Sequence, residues 1–376
     1  MEGKGLGYTM EKPELSVVMP CLNEEETIDI CIEKAKKAFE ELDLVGEVVV
    51  CDNGSTDDSV SVAEAHGARV VRESTPGYGA ALMKGISEAR GEYIIMGDAD
   101  NTYDFENLAP FVGRLRDGYD LVMGSRFDGE ILPGAMPWSH QYIGNPVLTG
   151  ILNLFFHSGV SDAHCGMRAF TREAYDSLDL YTTGMEFASE MVIKASNNGL
   201  RIADVPITYY PRQGESKLSS VRDGWRHLRF MLLYSPTWLF LIPGVAMSLV
   251  GLLLLLLPEA SISMLIGSLL FLIGVQVVTL GFYAKTFSYV ENLEQEDLFL
   301  RFLWRHFRLE SGVALGLILI LVGGGAFFLL IRQWQRTDVH SIGAFRSLAV
   351  AGLLIIVGVQ TTFSSFFLSM LGLQRK

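Results

Sequence analysis

Asp98 and Asp100 flank a single alanine directly after the buried strand expected over Tyr93 to Gly97. Two carboxylates presented side by side repel each other. A hard divalent cation with oxygen ligands, Mg²⁺ or Mn²⁺, relieves that repulsion and bridges to the phosphate oxygens of a substrate. The alternative for such a triplet is a strand-ending turn and helix cap, where aspartate is common. Two further polar clusters favour the metal and diphosphate chemistry, because Pro20-Cys21-Leu22-Asn23-Glu24-Glu25 and Asp52-Asn53-Gly54-Ser55-Thr56-Asp57 also follow short apolar runs.

The elements that must position these clusters are legible as alternating strands and helices. Strands are predicted at Leu15 to Met19, Glu47 to Cys51, Ala68 to Arg72 and Glu92 to Met96, with helices near 24–41, 57–66 and 78–90. The second helix opens on Ser55, Thr56 and Asp57, all N-cap types. Strand, helix, strand in this rhythm specifies an α/β fold with a mostly parallel sheet and right-handed crossovers, whose ligands bind at the carboxyl ends of the strands. The three polar clusters therefore share one sheet edge. Gly77-Tyr78-Gly79, after the third strand, is the nearest approach to a dinucleotide-binding glycine turn and does not match it.

Composition removes other classes. Of 376 residues, 49% are hydrophobic, and 43 acidic against 30 basic residues leave a formal charge of −13, which gives no footprint for a nucleic-acid partner. Cys21, Cys31, Cys51 and Cys165 fall in no metal-ligand spacing, so reduced thiols and no zinc site are expected. The N-terminal tail 1–14 lacks the apolar core of a signal peptide.

The apolar residues are unevenly distributed. Uncharged runs extend from Ser235 to Pro258, Ala260 to Ala284, Ser311 to Ile331 and Ser347 to Leu373, each long enough to cross a hydrocarbon core as a helix. A four-helix transmembrane domain over 236–376 follows, with a buried helical hairpin as the alternative for the first pair. Lys217, Arg222, Arg226 and Arg229 precede the first run, Lys285, Arg301, Arg305 and Arg308 follow the second, and Arg375 and Lys376 end the chain. This bias places the N-terminal domain on the cytoplasmic face of a plasma membrane. The spans serve as anchor and acceptor platform or as contacts of a homo-oligomer; the run Gly323 to Gly325 permits close helix packing.

Between the two halves, 219–235 carries Val221, Trp225, Leu228 and Leu232 on one helical face and Arg222, Arg226 and Arg229 on the next, the pattern of an amphipathic helix lying in the headgroup layer. A helix packed on the N-terminal domain is the plainer reading, and the two are compatible. The stretch Asp128 to Gln141, expected to face the substrate, has no readable pattern.

The segments SVVMPCLNEEETI, VVVCDNGSTDDS, GEYIIMGDAD, GSRF, DAHCGMRAF and PITYYPRQGESKL, in that order, resemble inverting family 2 glycosyltransferases of the polyprenyl-phosphate (dolichyl-phosphate) mannose or glucose synthase type. The resemblance spans residues 15 to about 235. It implies a GT-A catalytic domain over 15–218, in which Pro20, Asn23, Glu24 and Asp52 bind the nucleotide and Asp98 and Asp100 form the metal-binding DXD pair. Thr102 stands where several such synthases carry a further glutamine ligand, which shifts coordination toward water or substrate oxygens. The QxxRW motif of processive synthases is absent, favouring one sugar per acceptor.

By the same resemblance, Arg212, Ser216 and Lys217 contact the phosphate of the acceptor lipid; a solvated basic turn is the alternative. A phosphate monoester acceptor is already anionic near neutral pH, its second pKa being about 6, and needs no strong general base. The task is then to position the acceptor and to neutralise the departing diphosphate. Asp162 and Arg168 match the family's DxxxGxR segment. Asp162 orients sugar or acceptor, or acts as a base toward a hydroxyl. Glu190 is a catalytic acidic residue or an ion-pair partner of Arg168, and Arg126 touches the donor or shapes its loop. His164 beside Cys165 reads as loop packing. The leading expectation is hexose transfer from UDP-glucose or GDP-mannose to undecaprenyl or dolichyl phosphate. A hydroxyl acceptor on a lipid or glycan, and a non-catalytic scaffold or transporter, are the alternatives.

Overall fold

The computed structural model describes residues 12–213, 220–257, 261–290, 309–336 and 342–372. The chain divides into two compact units, one ending at Met231 and one beginning at Leu232.

The first unit is an α/β layer structure around a seven-stranded sheet. Its elements are β1 (Leu15–Cys21), α1 (Ile28–Glu41), β2 (Gly46–Asp52), α2 (Ser59–Ala65), β3 (Arg69–Arg72), α3 (Tyr78–Glu88), β4 (Tyr93–Met96), α4 (Ala109–Arg116), β5 (Leu121–Ile131), α5 (Asn145–Phe156), β6 (Arg168–Thr171), α6 (Arg172–Leu178), α7 (Phe187–Asn197) and β7 (Ile202–Tyr209). The strand order is β3-β2-β1-β4-β6-β5-β7. The pairs β1–β2, β1–β4, β2–β3 and β5–β7 are parallel, whereas β6 runs antiparallel to both β4 and β5. This is the mostly parallel GT-A-like sheet.

The first strands form because both sheet faces are covered, so nearly every position is apolar. Val17 and Met19 of β1 join Cys31, Ile32 and Ala35 of α1 in one buried cluster. Val18, between them, points the other way, where Gly85 of α3 comes so close that an added Cβ would lie 2.6 Å from the valine methyl. The predicted strand positions hold to within a residue or two. Two helix starts differ. Residues 24–27 form a turn in which the Ile28 amide donates to the Glu24 carbonyl at 3.0 Å. The second helix starts at Ser59 rather than at 57, because Asp57 Oδ1 takes the Ser59 amide at 3.1 Å and its hydroxyl at 2.5 Å.

α8 (Ser220–Leu233) buries a face that the apolar pattern did not select. His227, Phe230 and Met231 are buried, while Trp225 and Leu233 are exposed. The side chains of Val221 and Arg222 lie outside the described residues.

The second unit consists, among the described residues, of α9 (Ile242–Leu256, entered through a π-helical turn at Thr237–Leu241), α10 (Ser261–Val290), α11 (Leu309–Trp334) and α12 (Ile342–Gly372). Four stretches, Thr237–Leu256, Ile262–Tyr289, Leu309–Trp334 and Gly343–Leu371, are long and apolar enough to cross a membrane. They exceed the uncharged runs at some ends and so carry Lys285, Glu310, Arg332 and Arg346. Glycines set the helix contacts. A Cβ on Gly316 would lie 2.2 Å from Thr362 Oγ1 and 2.7 Å from the Gly358 carbonyl, and one on Gly251 would lie 2.4 Å from the Phe271 amide nitrogen. Of the run Gly323 to Gly325, only Gly323 meets a neighbour. Close approach through glycine suits lipid, where apolar burial drives no helix association.

A candidate nucleotide-sugar site at the sheet edge

The polar clusters after β1, β2 and β4 do converge. They line a cavity of about 380 Å³ together with the N-terminal end of α3, residues Gly184 and Met185, Arg212 and Arg226.

The loop after β1 is locked to the loop after β2. Asn23, held at φ 54°, accepts the Thr56 amide on Oδ1 at 2.7 Å, and the Glu24 amide donates to Ser59 Oγ at 2.8 Å. Asp52, at the last position of β2, is buried and accepts the Ser55 amide at 2.9 Å. Asn53 is wedged beneath. Its side-chain amide donates to the carbonyls of Glu73 and Thr75 at 2.9 Å each, and its Oδ1 accepts the Gly77 amide at 2.8 Å. Pro20, Glu24 and Asn53 line the cavity.

At the end of β4 the two aspartates are separately braced. Tyr78 donates its hydroxyl to Asp98 Oδ1 at 2.9 Å. Burial, and then the charge of Asp100, push the Asp98 carboxyl above its ordinary range despite that hydrogen bond. Asp100 accepts the amide of Thr102 at 3.1 Å and its hydroxyl at 2.5 Å on Oδ1, and lies 3.4 Å from Arg212 Nη1 on Oδ2. Thr102 therefore orients Asp100. Arg212 spans the cavity, its Nη2 donating to Glu24 Oε1 at 3.0 Å, and its buried Nε has no partner among the described residues.

These residues fit a divalent cation of the hard type. The two carboxylates are adjacent and face a cavity, and Asp98 already resists carrying its charge beside Asp100. No group of three or more potential metal ligands occurs among the described residues. Such a pair matches the one or two protein carboxylates that Mg²⁺ takes when substrate phosphates and water complete its shell.

Tyr78 is the residue that sequence reasoning passed over, although Gly77-Tyr78-Gly79 was in view. At Gly77, φ is 147° and a Cβ would lie 2.1 Å from the Thr183 carbonyl oxygen; at Gly79 it would lie 2.3 Å from the Thr182 carbonyl oxygen. The two glycines let the start of α3 press on the 182–184 backbone, and the tyrosine between them reaches Asp98. The available signal was position, an aromatic hydroxyl following the third strand on the same sheet edge.

Asn23 and Asp52 do not line the cavity, and neither do Asp162, Arg126, Arg168, Glu190 and His164, of which all but the half-buried His164 are buried. Asp162 is fully buried and receives Arg126 in a two-pronged ion pair, Nε to Oδ2 at 2.6 Å and Nη2 to Oδ1 at 2.8 Å, with the Arg126 amide also on Oδ2. Arg168 is fully buried and donates to the carbonyls of Cys165, Ala188 and Ala163 at 2.9, 2.6 and 2.9 Å. The contemplated Glu190–Arg168 pair is not formed, because those carbonyls already take the guanidinium. Glu190 instead pairs with Lys194 at 2.8 Å and accepts the Thr182 hydroxyl at 2.6 Å. His164 packs edge-on against His227, with ring centroids 4.5 Å apart, while Ser189 Oγ lies 2.8 Å from His227 Nδ1. Burial, His227 and Arg168 hold the His164 pKa well below the usual value. All four cysteines are free and buried. Ser216 and Lys217 lie outside the described residues.

A mostly parallel sheet whose edge gathers a carboxylate pair, an arginine and a cavity is the arrangement of a GT-A-like domain. Comparison with known proteins supplies the family. Residues 16–179 match Glycosyl transferase family 2, and residues 282–372 match the Glycosyltransferase family 2 C-terminal transmembrane region. A Haloferax volcanii protein named low-salt glycan biosynthesis hexosyltransferase Agl6 is 43% identical over 96% of this chain and 89% of its own length. A second from the same organism, named dolichyl-phosphate hexose transferase, is 32% identical over 58% of this chain and 91% of its own length. Among solved structures, glucosyl-3-phosphoglycerate synthase of Mycobacterium tuberculosis with Mn²⁺, UDP-glucose and phosphoglyceric acid aligns at a TM-score of 0.48 and 24% identity, over 58% of this chain and 79% of that one. The chain belongs to glycosyltransferase family 2, and it is a membrane glycosyltransferase.

Proposed function

We propose that this enzyme transfers one hexose from a nucleotide sugar, UDP-glucose or GDP-mannose, to a polyprenyl phosphate, dolichyl or undecaprenyl, at the cytoplasmic face of the plasma membrane with inversion at the anomeric carbon. The observation that carries the reading is the joint placement of Asp98, Asp100 and Arg212 in one cavity at the ends of β1, β2 and β4. The printed name of the dolichyl-phosphate relative supports the acceptor class.

In this reading Pro20, Asn23, Glu24 and Asp52 hold base and ribose against the locked loops after β1 and β2. Asp98 and Asp100 hold Mg²⁺ or Mn²⁺, which when bound neutralises charge on the leaving diphosphate. Tyr78 and Thr102 fix the two carboxylates in place. Arg212, with Ser216 and Lys217 following it in sequence, takes the acceptor phosphate; its buried Nε, which has no partner among the described residues, is a donor left for an oxyanion. The anionic acceptor attacks without a base. That matches the state of Asp162 and Glu190, each buried and neutralised by a basic partner, and favours the phosphate over a hydroxyl acceptor. Arg126, Asp162, Arg168 and Glu190 then serve the reaction by holding the walls of the site, and the buried Arg126 charge also lowers the proton affinity of Asp98.

The test uses the full chain in a bilayer containing a polyprenyl phosphate, with Mg²⁺ or Mn²⁺ and a panel of labelled nucleotide sugars. One donor is expected to label the lipid, and Asp100→Ala to cut transfer by about 100-fold or more while the protein stays folded. Label appearing only on hydroxyl acceptors overturns the phosphate reading.

A further inference from the structure

Among the described residues, the charged side chains that line the cavity are Glu24, Asp98, Asp100, Arg212 and Arg226. Four of them have a part in the transfer proposed above; Arg226 has none. A divalent cation cancels two carboxylates, and Arg212 lies 3.0 Å from Glu24 and 3.4 Å from Asp100, so those four groups and the metal together hold no surplus of positive charge. A nucleoside diphosphate and a phosphate monoester must nevertheless lie side by side in this cavity, and like charges repel more strongly there than in open water.

By sequence pattern, Arg226 belongs with Arg222 and Arg229 to the cationic stripe of an amphipathic helix, where each would meet a lipid headgroup. The fold separates two of the three. Arg226 lines the cavity, whereas Arg229, about one turn further along α8 and exposed like Arg226, does not.

The rotation of α8 that carries Arg226 to the cavity is set by the next residue. His227 is buried, and Ser189 Oγ of α7 lies 2.8 Å from its Nδ1 and 3.4 Å from Nε2 of His164. The two imidazole rings pack edge-on with centroids 4.5 Å apart. Phe230 and Met231 continue the buried face one turn later. Successive residues of a helix are about 100° apart around its axis, so a helix keyed at His227 has one rotational setting, with Arg226 beside the buried face rather than on it. The histidine pair thereby ties α8 to the 162–168 segment, the role that His164 has in this fold.

We propose that Arg226 binds the phosphate of the acceptor together with Arg212, and that His227, seated on Ser189 and His164, is the positioning residue that holds Arg226 in the cavity. The assignment rests on the lipid-phosphate reading of the acceptor. It favours the acceptor over the donor because the polar loops after β1 and β2 and the aspartate pair already account for the nucleotide, whereas Arg226 lies on the segment of chain that runs on to the first span at Thr237. A guanidinium takes two phosphate oxygens at once, which fixes the direction of the nucleophilic oxygen as well as offsetting its charge. Its positive charge also lowers the repulsion between acceptor and donor as they approach.

The full chain in lipid nanodiscs containing a polyprenyl phosphate tests it, with the labelling sugar nucleotide and the lipid varied separately and the affinity for the nucleoside diphosphate measured directly. Arg226→Ala is expected to raise the KM for the lipid phosphate by about 10–100-fold while nucleotide affinity stays within about twofold. Arg226→Lys, which keeps the charge and loses the fork, should recover part of that loss. Arg229→Ala removes the same charge from the same helix and should change neither quantity by more than about twofold. His227→Ala is expected to reproduce the acceptor defect, His227→Asn to restore function by keeping a polar group beside Ser189, and the double variant His227→Ala/Arg226→Ala to be no worse than Arg226→Ala alone. Losses that are equal, or absent, in Arg226→Ala and Arg229→Ala overturn the proposal, as does a loss confined to nucleotide affinity, which would give Arg226 to the donor diphosphate. Additive losses in the double variant overturn the positioning role of His227. Wild-type enzyme that labels only hydroxyl acceptors defeats the acceptor class itself, a failure seen before any variant is made.

Discussion

The catalytic unit buries whole charges, whereas the membrane unit, among its described residues, mostly buries hydroxyls and glycines. In the first, Arg168, Asp162, Arg126 and Glu190 are buried with every charge met by a carbonyl or an opposite charge. In the second, the half-buried Ser248, Ser268, Thr279, Thr361, Thr362 and Ser365 turn their hydroxyls back onto the carbonyl four residues earlier. Lys285, the one buried cation among the described residues there, donates to the Thr237 hydroxyl at 2.8 Å. The difference follows from the solvent. Water expels apolar surface from the sheet layers, and that gain offsets the desolvation of a few functional ions. Lipid expels nothing apolar, so contact must come from backbone approach, and polar atoms must satisfy themselves within their own helix.

The sharpest way to break this contrast is to strand a buried charge. Asp162→Asn keeps the shape but leaves Arg126 without its counter-ion, and is expected to destabilise the catalytic unit by about 3–5 kcal/mol, read as a lowered thermal midpoint of nucleotide binding. A smaller effect is expected in the other unit. Gly316→Ile drives a side chain into Thr362 and the Gly358 carbonyl, and should separate α11 from α12 at a cost of about 1–3 kcal/mol, read as easier extraction and proteolysis of the spans with nucleotide affinity unchanged. If that substitution instead abolished nucleotide binding, the two units would not be energetically separate. The smallest effect is a pH slope. His164 is held neutral when folded, so the unfolded chain binds the extra proton below its ordinary pKa of about 6.5. The contribution of His164 to stability should therefore be flat above that value and fall as pH drops below it, by at most about 1.4 kcal/mol per unit; the raised Asp98 carboxyl contributes in the opposite sense below about 7, so the effect is read as the difference between the pH slopes of wild type and His164→Phe. The described residues of the membrane unit contain no histidine to produce one.

The first four strands and the spans were legible because each depends on a local pattern, continuous apolar runs covered on both faces or immersed in lipid. The convergence of the loops after β1, β2 and β4 on one cavity was legible for the same reason, since in a parallel sheet every strand end lies on one edge, although it is Asn53 rather than Asp52 that lines it. What escaped depends on partners far away in sequence. β6 runs antiparallel because Arg168 to Thr171 pair with both β4 and β5, which no local pattern encodes. The buried face of α8 was missed because His227 counts as polar in an apolar tally, although Ser189 and His164 receive it in the fold. α5 escaped because the prolines at 133, 137 and 146 make the stretch around it read as a loop.

The Arg212 bridge to Glu24 joins residues 188 positions apart. At synthesis rates of about 5–20 residues per second, the acidic loop after β1 leaves the ribosome on the order of 10–40 s before its arginine does. During that interval the β1, β2 and β4 strand ends exist without the brace that completes their edge. Thr237 and the first span follow within about 1–5 s. Closure of the sheet-edge cavity and synthesis of the first membrane-spanning helix are therefore nearly simultaneous events in the life of each molecule, so the brace across the strand ends is completed only as the chain acquires its anchor.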